Sequence, residues 1–163
     1  MSEETKTVNS WIESKAVSSG EIDGHKYWIC KHPMMDRGLG GFNGYVLFPK
    51  RPVKEPAYGG ILTYVPVHGG ITYAEEDGDG IVYGFDTGHC DSESYPIRET
   101  EWIKGQCKIM LAAIKRAAEL EDKYLLACGD NEARAEIADE IGDIQPGQKM
   151  NTMAILNALS GRL

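Results

Sequence analysis

The feature that most constrains the fold is a change of period near residue 97. Before it, short apolar runs are cut apart by glycine, proline and acidic turn residues. After it, Ile103, Cys107, Met110, Ile114 and Ala117 recur at steps of four and three, with no proline between residues 98 and 127. That spacing is one face of a helix. Pro96 stands just ahead of it as a start signal, and Cys128-Gly129 supplies the stop. A long amphipathic helix needs an apolar surface to cover. Strands that precede it, rather than alternate with helices, point to α+β and away from a βαβ array. The expected architecture is α+β: a mainly antiparallel twisted sheet, a long helix packed on one face, and a short helical C-terminal tail.

The strand content is read from β-branched and aromatic runs between breakers. Residues 25–32, 45–48, 61–65, 71–74 and 81–85 qualify, and the loop at 34–44 holds four glycines. Glu76-Asp77-Gly78-Asp79-Gly80 separates the last two runs and predicts a hairpin. Residues 8–18 predict a short helix ended by Ser18-Ser19-Gly20. Two further helices are expected near 132–141 and 150–159, on either side of Gln145-Pro146-Gly147. The division expected is an α+β ligand-binding core over 1–129 and a helical extension over 130–163.

At 163 residues the chain fits one domain. A chain of that size buries about 70% of the surface its unfolded form exposes, enough for a core without disulfides. Cys30, Cys90, Cys107 and Cys128 show no CxxC spacing and read as free thiols, with Cys107 on the helix core face. No apolar run approaches the roughly 20 residues of a membrane span. The start, Met1-Ser2-Glu3-Glu4, lacks the basic and apolar regions of a signal peptide. The expectation is a cytoplasmic protein with no membrane partner.

Charge narrows the partners further. With 17 Lys and Arg against 25 Asp and Glu, the net charge is −8. From Glu55 to Ile97 there are eight acidic residues and no Lys or Arg. Nucleic-acid binding draws on clustered positive charge, so no nucleic-acid partner is expected.

Within that acidic stretch lies the most informative constellation. His68-Gly69-Gly70-Ile71-Thr72-Tyr73 leads into one strand of the hairpin, and Gly84-Phe85-Asp86-Thr87-Gly88-His89-Cys90-Asp91 leaves the other. An antiparallel hairpin brings these two segments to the same end. His68 and His89 are then expected within about 10–12 Å, two or three strand spacings. Gly69-Gly70 admits positive φ and a close backbone approach. Imidazole with carboxylate suits acid–base chemistry or a divalent ion. Tyr64, Tyr73, Tyr83, Phe85 and Tyr95 offer stacking surfaces. Each residue also has a purely structural explanation: aspartates form Asx turns, and Gly-Gly forms plain β-turns. His25 and His32, at the two ends of a strand, favour that structural explanation. Gly38-Leu39-Gly40-Gly41 lacks the strand–helix context of a nucleotide loop.

These residues resemble a family of small phage and prophage-encoded proteins. Its members carry a Tyr-Val-hydrophobic-Pro strand, here Tyr45-Val46-Leu47-Phe48-Pro49, then Val67-His68-Gly69-Gly70-Ile71-Thr72. A Gly-Phe-Asp-x-x-His-x-x-Asp motif follows, from which this chain departs by one residue before Asp91. Arg98, Trp102 and Cys107 match the succeeding helix, and the resemblance spans roughly residues 43–127. It implies an accessory protein, and by analogy with phage sponges a binder of a nucleotide-derived signal, located in the host cytoplasm if phage-encoded.

Two functions follow as expectations. The first is a homo-oligomeric protein, with no cofactor and no turnover, that sequesters a small nucleotide-derived ligand. It would use His68, Gly69, Gly70, Thr72, Tyr73, Asp86, His89 and Arg98, with Arg37, Lys50 or Arg51 as further sources of positive charge. The alternative is a metal-dependent hydrolase built on His68, Asp86, His89 and Asp91. A third, a protein inhibitor, would use the apolar stripe Met150, Met153, Ile155, Leu156 and Leu159 of the tail.

Overall fold

A computed structural model describes residues 8–54 and 57–127. The elements are α1 (Val8–Lys15), β1 (Ala16–Ile22), β2 (His25–Lys31), β3 (Phe42–Phe48), β4 (Tyr73–Asp77), β5 (Gly80–Phe85) and α2 (Thr100–Ala127). Short 3-10 turns occupy Met35–Arg37, Gly60–Tyr64 and Ser92–Ser94. The strands make one five-stranded sheet in the order β1-β2-β3-β5-β4, antiparallel at every step. The α+β expectation holds, with α2 laid across one face.

The helix face inferred from spacing is the buried one. Ile103, Cys107, Met110, Ile114 and Ala117 are all fully buried. They share a core with Tyr27, Ile29, Val46, Phe48, Ile81, Tyr83 and Phe85. Those strand residues alternate along each chain, so one face of the pleat meets α2. The intervening positions Trp28, Cys30 and Val82 point the other way and close a smaller core with Ile12 of α1. Helix α1 is short and leaves the rest of that face to Tyr45 and Tyr73, which pack against this smaller core.

Turn chemistry sets both hairpins. Between β1 and β2, Asp23 and Gly24 have φ of 50° and 78°. Positive φ at both central residues is the type I′ turn that matches strand twist. Between β4 and β5, Asp77 pairs with Gly80, and of the two residues between them only Gly78 has positive φ, 61°. That is the type II′ pattern.

The sequence expectations need four corrections. The loop expected over 34–44 ends at Gly41, because Phe42, Asn43 and Gly44 pair with β2 and begin β3. Residues 61–65 do not form a strand; Gly60–Tyr64 is a 3-10 turn. Its buried residues are Ile61 and Leu62, followed by Val65, while Thr63 is exposed. Adjacent buried positions fit a coiled turn beneath α2, whereas a strand at a sheet face would alternate. The predicted helix over 8–18 stops at Lys15, and Ser18-Ser19-Gly20 lies inside β1 instead of ending a helix. The Asp23-Gly24 turn folds this segment back on β2, and pairing with β2 overrides its weak strand propensity. The run beginning at Ile71 enters the sheet two residues later, at Tyr73.

Cys30, Cys90 and Cys107 are free thiols. Among the described residues no helix is long and apolar enough to cross a membrane. Cys128, the helices expected near 132–141 and 150–159, and the 130–163 extension lie outside the described residues.

Candidate functional site

The hairpin gathers the two motifs at one end. Tyr73 pairs with Gly84, and the Thr72 N–H donates to the Gly84 carbonyl at 2.9 Å. Ahead of β4, the Gly70 N–H donates to the Val67 carbonyl at 2.8 Å, closing a β-turn. Gly69 occupies the third position of that turn with φ of 69°. His68, the second position, is not among the described residues with positive φ, which makes the turn type II, with glycine where that type requires it. Absence of a side chain at Gly69 has a second consequence. A Cβ there would collide with Nε2 and Cδ2 of His89.

Asp86 is the hub. Its Oδ1 accepts from the Thr72 hydroxyl at 2.9 Å, and its Oδ2 accepts from the Gly88 N–H at 2.9 Å. His89 Nε2 lies 3.2 Å from Oδ1, and His32 Nε2 lies 3.9 Å from Oδ2. Burial alone would raise the Asp86 pKa, but the hydrogen bonds from Gly88 and Thr72 and the two neighbouring imidazoles outweigh it, and the net shift is downward. The carboxylate is therefore held ionised. The His89 contact is close but off the ring N–H axis, so it is electrostatic; Nε2 is buried without a hydrogen-bond partner among the described residues.

His32 contributes in a fixed tautomer. Its Nδ1 accepts from the Met34 N–H at 3.1 Å, which leaves the proton of the neutral ring on Nε2, facing Asp86.

His68 has a different setting. Its ring stands 5.8 Å from that of His89, 4.9 Å from Tyr95 and 5.5 Å from Trp102, centroid to centroid. The two histidines thus meet at about half the spacing expected from the hairpin alone. The Ser92 hydroxyl accepts from the His89 N–H at 3.1 Å and lies 2.8 Å from His68 Nε2, so it is free to donate to that nitrogen. The His68 N–H donates to Gln106 Oε1 of α2 at 2.9 Å. Burial lowers the His68 pKa against the opposing pull of Asp91. His68 is a neutral post joining the turn to α2.

Beside Asp86, on the sheet face opposite α2, lies an open cavity of about 290 Å³. Thr72, Tyr73 and Asp86 line it together with His32, Pro33, Asn43, Tyr45 and Phe85. Tyr45 and Tyr73 meet edge to face at 5.2 Å. Burial raises the pKa of both phenols, that of Tyr73 to about 12, so both enter the cavity neutral. Asn43 is buried, and its Oδ1 accepts from the Thr87 N–H at 3.2 Å. The Thr87 hydroxyl in turn accepts from the Gly41 N–H at 2.7 Å, tying the end of β5 to the start of β3.

The expected residues therefore divide. Thr72, Tyr73 and Asp86 form part of the wall. His89 touches it through Asp86. His68, Gly69 and Gly70 are not part of this wall; His68 and Gly69 pack against His89. Arg98 is engaged elsewhere, with both oxygens of Glu93 at 3.2 Å and with the Gly38 carbonyl at 3.3 Å. Lys50 and Arg51 follow β3 at the opposite end of the strand from Asn43, and Arg51 pairs with Glu76 at 2.9 Å. Asp91 occupies the N-cap position of the 3-10 turn Ser92–Ser94 without a side-chain cap hydrogen bond.

Sequence reasoning assigned His32 a structural role and passed over Asn43 and Tyr45, because sheet order brings them to the cavity; only part of a signal was present, in the strand alternation. Asn43, Tyr45 and Leu47 share one face of β3 by alternation, and a buried Asn amid apolar strand residues is an exception that marks a site.

Chemically, the wall presents one ionised acceptor, a polar amide, a hydroxyl and two neutral phenols around a space open to solvent. Among the described residues no three His, Cys, Asp or Glu side chains are grouped so as to hold a metal ion. No family model, curated protein or solved structure matches the chain.

Proposed function

We propose that this protein binds, without turnover, a small nucleotide-derived molecule whose planar ring and hydroxyl or amine donors enter the cavity beside Asp86. The observation that carries this reading is the wall itself: an ionised carboxylate, fixed by Thr72 and Gly88, faces the same space as the Tyr45–Tyr73 pair and Asn43. Asp86 uses two of the roughly four lone-pair sites of a carboxylate on the protein, leaving acceptor capacity for ligand donors. The phenol rings supply flat apolar surface with polar tips. Such a mix of aromatic walls and a few placed polar groups is the usual make-up of a small-molecule site.

A sequestering role, in the manner of phage sponges that soak up a host signal, adds the motif resemblance to this chemistry. The metal-hydrolase alternative draws less support, because among the described residues no three His, Cys, Asp or Glu side chains are grouped so as to hold a metal ion, and His68 Nε2 is engaged by the Ser92 hydroxyl.

The test is recovery. A panel of nucleosides, nucleotides and cyclic dinucleotides is incubated with the protein, and free ligand is measured before and after heat denaturation. The expected result is depletion followed by return of the unaltered molecule. Return of an altered molecule, dependent on added divalent metal, refutes a pure binder. Absence of depletion across the panel, together with native mass spectra free of any retained small molecule, refutes the reading altogether.

A further inference from the structure

A second cavity of about 250 Å³ adjoins the first. Pro33, Asn43 and Tyr45 belong to both walls, so the two spaces lie side by side across β2, β3 and β5 and together outline a trough with these residues at its middle. The far wall changes character. It is built by Trp11 and Lys15 of α1 and by Lys31 at the end of β2. The Asp86 end has a carboxylate and no lysine or arginine in its wall; the α1 end has two lysines and no carboxylate in its wall.

We infer that the trough is polar along its length and takes a phosphorylated nucleotide in one orientation, with the nucleoside at Asp86 and the phosphate between Lys15 and Lys31. This rests on the nucleotide-binding reading above and deepens it.

Geometry supports the placement. Cys30 is opposite Asn43, and Gly44 is opposite Phe85, so the two ends of the trough are two strand spacings apart. That is about 10 Å. It is about the length of one nucleotide from the far edge of its base to its phosphate. Together the spaces reach the range of small-molecule sites, about 300–1,000 Å³.

Charge supports it as well. Lys15 sits over the Trp11 ring at 4.5 Å, a contact that leaves its ammonium donors available. Lys31 pairs with Asp36 at 3.1 Å, but both side chains are more than half exposed. Such surface pairs contribute about 0–1 kcal/mol and yield readily to a stronger anion. Arg98 and Arg51 line neither cavity, whereas Lys15 and Lys31 line the second.

The experiment compares the four ribonucleosides with their 5′-monophosphates by titration calorimetry on the full chain. For the base that binds, the monophosphate should bind about 10-fold tighter or more, the scale of a hydrogen bond to a charged group. The double variant Lys15→Gln/Lys31→Gln should erase that ratio, and Lys15→Arg/Lys31→Arg should keep it. Inorganic phosphate should compete with the monophosphate and not with the nucleoside. Equal affinity of nucleoside and monophosphate overturns the orientation while the binding reading stands. A ratio that persists in the glutamine variant overturns the assignment to these lysines. Failure of every one of these probes to bind overturns the placement, while the wider panel and the native mass spectra decide the binding reading.

Discussion

Replacing Gly69 and Gly70 separately by alanine isolates what the turn does for the site. Both glycines have positive φ, 69° and 78°. Holding alanine in that region costs about 1–3 kcal/mol, and the narrower unfolded ensemble offsets about 0.4–1 kcal/mol of it. Gly70→Ala meets nothing within 4 Å of the new Cβ, so backbone strain is its whole effect. The expected loss is about 1 kcal/mol. Gly69→Ala bears the same strain and must also displace the His89 ring. Forcing a packed side chain aside adds about 1–3 kcal/mol, for a total of about 2–4 kcal/mol.

Urea unfolding with unchanged m-values reads these losses. The site gives an independent readout. Moving His89 removes one of the influences that hold the Asp86 pKa down, so the Asp86 titration followed by carbon NMR should move up in Gly69→Ala and stay in place in Gly70→Ala. If the two variants differ by less than about 0.5 kcal/mol, the scatter between independent sites, and the Asp86 titration is the same in both, then Gly69 does not position His89.

Further outcomes follow from the same geometry. Met110→Ala, at a fully buried position, should cost about 2–5 kcal/mol in urea unfolding, and a loss under about 0.5 kcal/mol would mean that α2 does not cover the sheet. The pKa of His68 is lowered from 6.5, so its folded form binds fewer protons than the unfolded chain below that value. The resulting stability is present above pH 6.5 and is lost as pH falls through the folded pKa; the thermal midpoint should drop on acidification from pH 7.5 to 5, less so in His68→Gln, and an unchanged slope in that variant refutes the assignment. Asp86→Asn keeps the shape of the wall while removing its charge; ligand affinity should fall by about 1.5–3 kcal/mol in calorimetry, and unaltered affinity would place the ligand elsewhere.

The helix and the hairpins were legible because each rests on local physics. Steps of four and three at Ile103, Cys107, Met110 and Ile114 fix a buried face whatever it packs against. Glycine and aspartate between β4 and β5 fix a tight turn. The same signal stood unread at Asp23-Gly24, where it would have revealed β1. The segment 61–65 was illegible for the opposite reason. A short apolar run has no period of its own, and its fate was decided by α2 and by a sheet whose β3 already had two neighbours. At the site, chain proximity located Thr72, Tyr73, Asp86 and His89, since a hairpin carries them to one end. It could not supply His32, just past the end of β2, or Asn43 and Tyr45 of β3, which arrive through sheet order, a property of the whole chain.

Sheet order also explains why the two motifs, which meet at one end of the hairpin, face different neighbours. His68-Gly69-Gly70 and Asp86–His89 meet at the same end of the hairpin, but a sheet has two faces. The cavity wall takes Thr72, Tyr73 and Asp86 with His32 and Pro33, which follow β2, and with Asn43 and Tyr45 of β3. His68 turns toward α2, where Gln106 and Trp102 receive it. The histidine in the first motif thus secures the turn to the helix, and the turn, through the missing side chain of Gly69, leaves room for the histidine of the second motif against Asp86. A substitution at His68 should therefore reach the ligand only through His89 and Asp86, and its effect on binding should disappear in an Asp86→Asn background. Additive losses in that double-mutant cycle would mean that His68 touches the ligand itself.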